Sequence, residues 1–249
     1  MIGRGCWWTR HPARRCVSTN PARFADLDAI AFTQLRADHA GDLPAYVEGS
    51  RSAERDRLLP VLGPDGNGVY PDTETFVTRL LGPDGAFAYL ADFLTFRSSG
   101  GYKLSTRNVP ATGQRRWAQF GNERFRLSAV PVNHGDVPAI AWRMDVGDHA
   151  IVFTGDFNNQ KNLIPGFAKG ADALVVSHAI PEIARGEARE LYALPSQIGQ
   201  VAEQADVRMV VLGHRTNRTR GRESQTREAI EQHYKGSLIF ANDLECWGL

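Results

Sequence analysis

Five side chains of the types that bind divalent metals each follow a short apolar segment. Such segments are typical of buried strands, and the ends of neighbouring strands meet at one edge of a sheet. Neutral imidazoles and carboxylates gathered at such an edge are ligands that zinc and related ions accept. One such residue alone would more often be structural, whereas the ordered set predicts a metal site. The five residues are Asp38, His39, His134, Asp156 and His214.

The first part of the sequence predicts one strand and several helices around these residues. The apolar run 28–32 indicates a buried strand that leads toward Asp38, and a helix is expected to follow up to about Glu48. Gly/Pro turns then interrupt the segment 51–120. Between and after these turns, apolar residues recur at helical spacing and predict core-facing helices over 73–81 and 86–94.

From Glu123 onward the pattern is typical of strands. Apolar and polar residues alternate over 125–129 and 140–146, and Gly147-Asp148 supplies a hairpin turn. The sequence predicts further strands over 151–153, 172–176, 207–212 and 237–241, and a helix that begins near Pro195.

The composition favours a single globular domain. With 249 residues, 42% of them hydrophobic and 23% charged, the chain can bury a sizeable core. We expect an irregular segment over 1–22, where Gly and Pro interrupt any periodicity, and one domain over 23–249. The net charge of +1 favours neither nucleic acid nor a membrane surface as a partner. The scattered arginines fit either a solvated surface or a phosphate-binding face.

The cysteines and the apolar runs indicate the kind of cellular compartment in which the protein is expected. Cys6, Cys16 and Cys246 are odd in number and lack metal-binding spacing, so a reducing compartment and a cytoplasmic location are expected. The sequence has no run of the roughly 20 apolar residues that a membrane span needs, and its first residues lack the apolar core of a signal peptide.

The order of the metal-binding residues resembles the metallo-β-lactamase superfamily. That family carries T-H-x-H-x-D-H after an early strand, then a lone histidine, an aspartate in a G-D motif and a late histidine after a strand. The matching residues here are, in this order, Thr33, Asp38 and His39, then His134, Asp156 and His214. The resemblance extends from about Ala25 to the C-terminus, and the segments 139–143 and 239–243 are similar to the ribonuclease Z-like branch.

The resemblance implies a fold of class α+β, or α/β in looser usage. This fold is a four-layer αββα sandwich in which two mixed sheets face each other with helices outside. Only some 30 residues precede Thr33, fewer than the opening strands of the family need. Two explanations stay open: the gene start differs from that of its relatives, or the first strands of the sandwich are missing.

Two departures from the family motif concern the first of its two metal sites. Gln34 and Arg36 stand where the family has the histidines of H-x-H, so His134 alone remains of that ligand trio. An arginine is always protonated and cannot bind a cation. The resemblance therefore implies one divalent ion rather than two, with zinc favoured and manganese or iron as alternatives. The retained second site consists of Asp38, His39, Asp156 and His214.

Several side chains are candidates for catalysis beside such an ion. Asp38 or Asp156 could orient the attacking water, and Arg36 could bind an anionic substrate because guanidinium matches phosphate and carboxylate. His178 follows a predicted strand and is a candidate ligand or proton donor. The ribonuclease Z-like branch tends to place a histidine near the reacting phosphate just before the last helix, and Tyr192 holds that position here.

Two functions of different classes follow from these residues. The first is a metallo-hydrolase (EC 3) of weak or altered activity that acts on an ester, phosphodiester or lactone, with a small and preferably anionic substrate. The second is a catalytically impaired family member that binds a ligand or a partner. RNA processing is a weaker third reading, because the near-neutral charge does not favour nucleic acid. A homodimer stays open, and a membrane is not an expected partner.

Overall fold

The computed structural model describes residues 27–96, 101–242 and Glu245. Within it the chain divides into two compact units, the first ending at Val109 and the second beginning at Pro110. The predicted irregular segment 1–22 and all three cysteines lie outside the described residues. No helix in the described ranges combines the length and apolar character that a membrane span requires.

The first unit contains a parallel sheet of three strands. Its strands are β1 (Ile30–Ala31), β2 (Leu59–Pro64) and β3 (Leu104–Val109), in the order β1-β2-β3. Both strand pairs run parallel. The mixed character predicted for both sheets is therefore absent from the described strands of this one. The helical elements are α1 (Ala37–Ala40), α2 (Leu43–Gly49), α3 (Thr73–Leu81) and a 3-10 helix (Ala88–Phe93).

Helix α3 confirms the sequence prediction, and local chemistry explains where it starts. The side chain of Asp72 accepts a hydrogen bond from the backbone N–H of Thr75, which satisfies one of the first free donors of the helix. Its buried residues Thr73, Val77 and Leu81 repeat at a spacing of four. The helix predicted over 86–94 is instead a 3-10 helix, with Leu90 and Phe93 buried at a spacing of three.

Strands β2 and β3 were not predicted from the sequence. Strand β2 carries Pro60, Gly63 and Pro64, which are typical of turns rather than of a central strand. It forms nonetheless between β1 and β3, with Val61 opposite both Ile30 and Thr106. Its buried leucine and valine side chains join the core of the first unit, so packing overrides the local signals.

The second unit contains a mixed sheet of seven strands in the order β10-β9-β8-β7-β6-β5-β4. Neighbouring strands from β4 to β7 are antiparallel, whereas those from β7 to β10 are parallel. The strands are β4 (Trp117–Gly121), β5 (Arg126–Val132), β6 (Ala139–Val146), β7 (His149–Phe153), β8 (Ala173–Ser177), β9 (Met209–Gly213) and β10 (Ser237–Phe240). The helices are α4 (Ile164–Phe167), α5 (Ala188–Leu191), α6 (Pro195–Ala205) and α7 (Glu223–Glu231).

Most elements of this unit confirm the sequence predictions. The hairpin between β6 and β7 turns at Gly147, whose φ of 57° lies in the left-handed region that glycine tolerates. Helix α6 begins at Pro195 and buries an apolar stripe that includes Ile198 and Val201. A Cβ atom at Gly199 of α6 would lie 2.5 Å from the carbonyl oxygen of Ile230, so only glycine permits this close packing against α7. Strand β4 was not predicted.

Candidate metal centre

Three neighbouring strands of the second unit end at one edge of its sheet. The predicted convergence of all the candidate ligands stays a prediction. Strands β7, β8 and β9 are parallel neighbours, and Thr154 continues the pairing through a hydrogen bond from its N–H to the carbonyl oxygen of Val175. Because parallel strands end at one edge of a sheet, their next residues lie close together. Asp156 follows β7, Ser177 ends β8 and His214 follows β9.

The carboxylate of Asp156 lies between two imidazoles. Its Oδ1 is 3.4 Å from Nε2 of His214, and its Oδ2 is 3.8 Å from Nε2 of His134. Asp156 and His134 are buried, and His214 is partly exposed. Two ligands on one tetrahedral zinc, at bonds of about 2.1 Å, stand about 3.4 Å apart. The spacing and the nitrogen and oxygen donor types of these residues therefore fit a divalent metal.

Hydrogen bonds hold two of these side chains in a fixed orientation. Nδ1 of His134 lies 2.9 Å from the carbonyl oxygen of Leu191, an acceptor, so this nitrogen carries the proton. The lone pair of His134 is then on Nε2, the atom nearest Asp156. The hydroxyl of Ser177 donates to Oδ1 of Asp156 at 2.5 Å. Partners of this kind orient the ligands in protein metal sites.

The backbone around these residues adopts conformations that most side chains avoid. His214 itself has a φ of 50°, a left-handed conformation that is uncommon for any residue except glycine. Gly135, directly after His134, and Gly155, directly before Asp156, have φ values of 58° and 60°. Unusual backbone geometry of this kind concentrates at functional sites, where it aims particular side chains.

Tyr192 lies beside the two histidines that flank Asp156. Its ring centroid is 5.2 Å from that of His134 and 6.3 Å from that of His214, edge-on in each case. The tyrosine is partly exposed, as is His214. The residue that replaces the expected histidine of the family motif is thus part of the same side-chain cluster.

In the first unit, Asp38 and His39 lie on the short helix α1. Nε2 of His39 is 3.9 Å from Oδ2 of Asp38. Gln34 is buried, and its amide nitrogen donates to Nε2 of His39 at 2.9 Å. The hydroxyl of Thr33 lies 3.5 Å from Nδ1 of the same ring. A cation could bind the Nε2 lone pair only after the Gln34 amide turns away.

Arg36 immediately precedes helix α1 and is exposed. Its backbone carbonyl accepts the N–H groups of His39 and Ala40, which starts the helix. That its guanidinium binds an anionic substrate stays a prediction.

His178 is buried in the second unit, with 1% of its surface exposed. Its Nε2 lies 2.8 Å from the hydroxyl of Thr226 on α7, and its ring packs edge-on against Phe240. Burial lowers the pKa of His178 from 6.5 to about 4, so the imidazole is neutral at neutral pH. These contacts indicate a structural role, and the predicted role as a ligand or proton donor stays a prediction.

The buried imidazole of His178 should make the stability of the protein depend on pH. A depressed pKa means that the unfolded chain takes up a proton where the folded protein does not. The resulting stability is complete above pH 6.5 and is lost as the pH falls toward 4. Between pH 7 and pH 5 the free energy of unfolding should fall by about 2 kcal/mol from this residue alone.

Chemical denaturation of the wild type and of His178→Gln across this pH range tests the expectation. The variant starts from a lower stability because it loses ring packing, but its free energy of unfolding should depend less steeply on pH. His233→Gln is the matched control, because it makes the same substitution at an exposed histidine. Equal slopes in the wild type and His178→Gln would contradict the expectation.

Sequence reasoning missed Ser177 as a partner of Asp156. The signal was present in the pairing of the strands, since Phe153 of β7 lies opposite Val175 of β8. With that register, the residue two places after Val175 lies beside the loop that follows Phe153. A register of this kind is set by the folded sheet and was not assigned from the sequence alone.

Known proteins share this fold. A family model described as the β-lactamase superfamily domain matches residues 5–215. The metallo-β-lactamase fold protein YhfI from Bacillus subtilis is 18% identical with a TM-score of 0.66, and the match covers 91% of this chain and 80% of that one. The short form of human tRNase Z is 14% identical with a TM-score of 0.65, at 90% and 80% coverage. Yeast PDE1 is 13% identical with a TM-score of 0.63, at 89% and 68% coverage.

These matches confirm the predicted fold class, that of the metallo-β-lactamase sandwich with two sheets and helices. The likeness to ribonuclease Z is confirmed for the fold. The sequence identity is too low to show a shared function. No curated protein sequence matches the chain.

Proposed function

Because the chain belongs to the β-lactamase superfamily domain family, a family of hydrolases whose members bind divalent metals, we propose that it is a metal-dependent hydrolase with one ion. The observation that carries the proposal is the buried carboxylate of Asp156 between the imidazoles of His134 and His214. A buried charge is costly unless it is paired or binds a metal. The proposed ligand set is that of the sequence motif: Asp38, His39, Asp156 and His214, with His134 nearby.

A bound ion of this kind would lower the pKa of a water molecule and polarise the reacting carbonyl or phosphoryl oxygen. The residues of the chain supply the rest. The carboxylate of Asp156, fixed by Ser177, orients the attacking water and can accept its proton. Asp38 is the second candidate for that role. The donor set of imidazoles and carboxylates suits zinc, with manganese or iron as alternatives.

We propose an ester, phosphodiester or lactone as substrate, with an anionic group beside the scissile bond. The exposed guanidinium of Arg36 supports this choice, because guanidinium binds phosphate and carboxylate through paired hydrogen bonds. Of the proteins that share the fold, human tRNase Z is by its name a nuclease of tRNA. A net charge of +1 gives this chain little general attraction for nucleic acid, so a small phosphodiester is favoured over RNA.

The second candidate function is a catalytically impaired member that binds a ligand. One observation favours it specifically. The amide of Gln34 already donates to Nε2 of His39, a nitrogen that the proposed ion needs. If this hydrogen bond persists, His39 is lost as a ligand and the affinity for metal falls.

Metal content and turnover measured together separate the two functions. The purified protein is loaded with zinc, dialysed and analysed by plasma mass spectrometry. It is then assayed on p-nitrophenyl acetate and bis(p-nitrophenyl) phosphate with and without chelator. If the protein is a metal-dependent hydrolase, we expect about one equivalent of bound metal and a turnover that is lost when the chelator is added. Protein without metal and without turnover supports the ligand-binding function, and turnover insensitive to chelator refutes the metal-dependent hydrolase.

A further inference from the structure

The segment that contains Tyr192 is hydrogen-bonded to the loops that contain His134 and Asp156. On one side, the carbonyl oxygen of Leu191 accepts from Nδ1 of His134 at 2.9 Å. On the other side, the N–H of Ala193 donates to the carbonyl oxygen of Phe157 at 2.6 Å. Tyr192 thus stands between two hydrogen bonds to the immediate surroundings of the candidate site, which leaves its backbone little freedom to move.

Two further hydrogen bonds and one packing contact involve the same segment. The side-chain amide of Asn158 donates to the carbonyl oxygen of Glu190, and the N–H of Tyr192 donates to that of Ala188. A Cβ atom at Gly135 would lie 2.9 Å from the side chain of Leu191, so this segment packs closely on the glycine after His134. Four consecutive residues, 190–193, therefore each make a hydrogen bond that holds the tyrosine in place.

The side chain of Tyr192 lies beside the imidazoles of the candidate metal centre. Its ring is edge-on to both imidazoles that flank the Asp156 carboxylate, at 5.2 Å and 6.3 Å between centroids. A phenylalanine would make the same ring contacts. The hydroxyl adds a proton donor at the end of a rigid ring in a partly exposed position.

We propose that the hydroxyl of Tyr192 is the proton donor to the leaving oxygen of the substrate. This inference rests on the proposed hydrolase function. The oxygen of the attacking water forms a bond to phosphorus or carbon, and the bond to the leaving oxygen breaks with its electron pair on that oxygen. The phenol proton moves to the leaving oxygen, which departs as an alcohol. A proton from solvent then restores the phenol, matching the one that the attacking water releases.

The chemistry of the leaving group makes this step testable. An alkoxide is more basic than a phenolate, so it departs readily only if it receives a proton, and a phenol with an ordinary pKa of about 10 can supply one. A p-nitrophenolate is stable as an anion and needs no proton. His178, the other candidate donor, points its Nε2 at Thr226 inside the core.

The test compares Tyr192→Phe with the wild type on two phosphodiesters that differ only in the leaving group, alkyl or p-nitrophenyl. The variant should lose about 100-fold or more in kcat for the alkyl ester and less than about threefold for the p-nitrophenyl ester, with metal content unchanged. Tyr192→His should keep much of the alkyl activity, since an imidazole can also donate. Tyr89→Phe, an exposed tyrosine of the first unit, is the matched control and should lose neither.

A binding measurement gives a readout independent of turnover. Inorganic phosphate serves as a product analogue in calorimetry on the zinc-loaded protein. Loss of the phenol hydrogen bond should weaken binding by about tenfold in Tyr192→Phe, and unchanged affinity would place the hydroxyl away from the substrate.

The outcomes separate this inference from the hydrolase proposal. Equal losses on both esters would mean that Tyr192 only supports the site, and no loss on either would mean that it takes no part; both overturn the proton-donor role while the wild type remains an active hydrolase. Wild-type protein that turns over neither ester overturns the hydrolase function, and the role of Tyr192 with it.

Discussion

Replacing Asp156 with alanine should remove the bound metal and lower metal-dependent turnover by at least about 100-fold. Oδ1 of this carboxylate lies beside His214 and Oδ2 beside His134, so one substitution removes the centre of the donor cluster. An ion worth several kcal/mol of transition-state stabilisation corresponds to a loss of a hundredfold to a thousandfold, at about 1.4 kcal/mol for each factor of ten.

The measurement is zinc content by plasma mass spectrometry together with kcat/KM on the p-nitrophenyl diester. Because alanine would leave Ser177 without its acceptor, Asp156→Asn provides a variant of the same shape that keeps an oxygen at this position. The matched control is Asp145→Ala on β6 of the same sheet, which should keep its metal because Asp145 pairs with Arg143 and is not a candidate ligand. Full metal occupancy and full activity in Asp156→Asn would refute the assignment of this carboxylate.

The sequence was most informative about the parallel half of the large sheet. Strands β8 and β9 are short apolar runs, which a sheet covered on both faces requires, and they were predicted within one or two residues. Strand β2 was not predicted, because Pro60 and Pro64 are typical of turns. Its pairing partners lie some 30 and 45 positions away along the chain, so the stabilising contacts leave no trace in the local pattern.

The candidate site was predictable for a related reason. A ligand-type residue within a few positions of a strand end is visible in sequence, and Asp156 and His214 are of this kind. The hydrogen bond from Gln34 to His39 was not predictable, because it depends on how the chain turns between β1 and α1. The position of Tyr192 depends likewise on the hydrogen bonds that Leu191 and Ala193 make to His134 and Phe157, which the sequence does not show. The sequence indicates only that a histidine of the family is replaced there.

Introducing two histidines, Gln34→His with Arg36→His, should raise the metal content from about one equivalent to about two. The double variant restores the H-x-H pair of the family motif and leaves His134 as the third ligand. It also removes the Gln34 amide that donates to Nε2 of His39, so the retained site should bind more tightly as well. Turnover of a neutral ester should then rise by about 100-fold, since a second ion would add stabilisation of the charge that develops in the transition state.

The single variants tell the two contributions apart. Gln34→His alone should tighten the binding of the ion at the retained second site, because His39 loses its competing donor, but it should add no second equivalent. Arg36→Ala alone should leave metal content unchanged and lower kcat/KM for an anionic ester by about tenfold relative to its neutral counterpart, because the guanidinium no longer meets the substrate charge. Arg36→Lys is the control that keeps the charge and should lose less of that preference. If the double variant still binds one ion, Gln34 and Arg36 are not what limits the protein to a single metal, and the motif-based account of the first site is wrong.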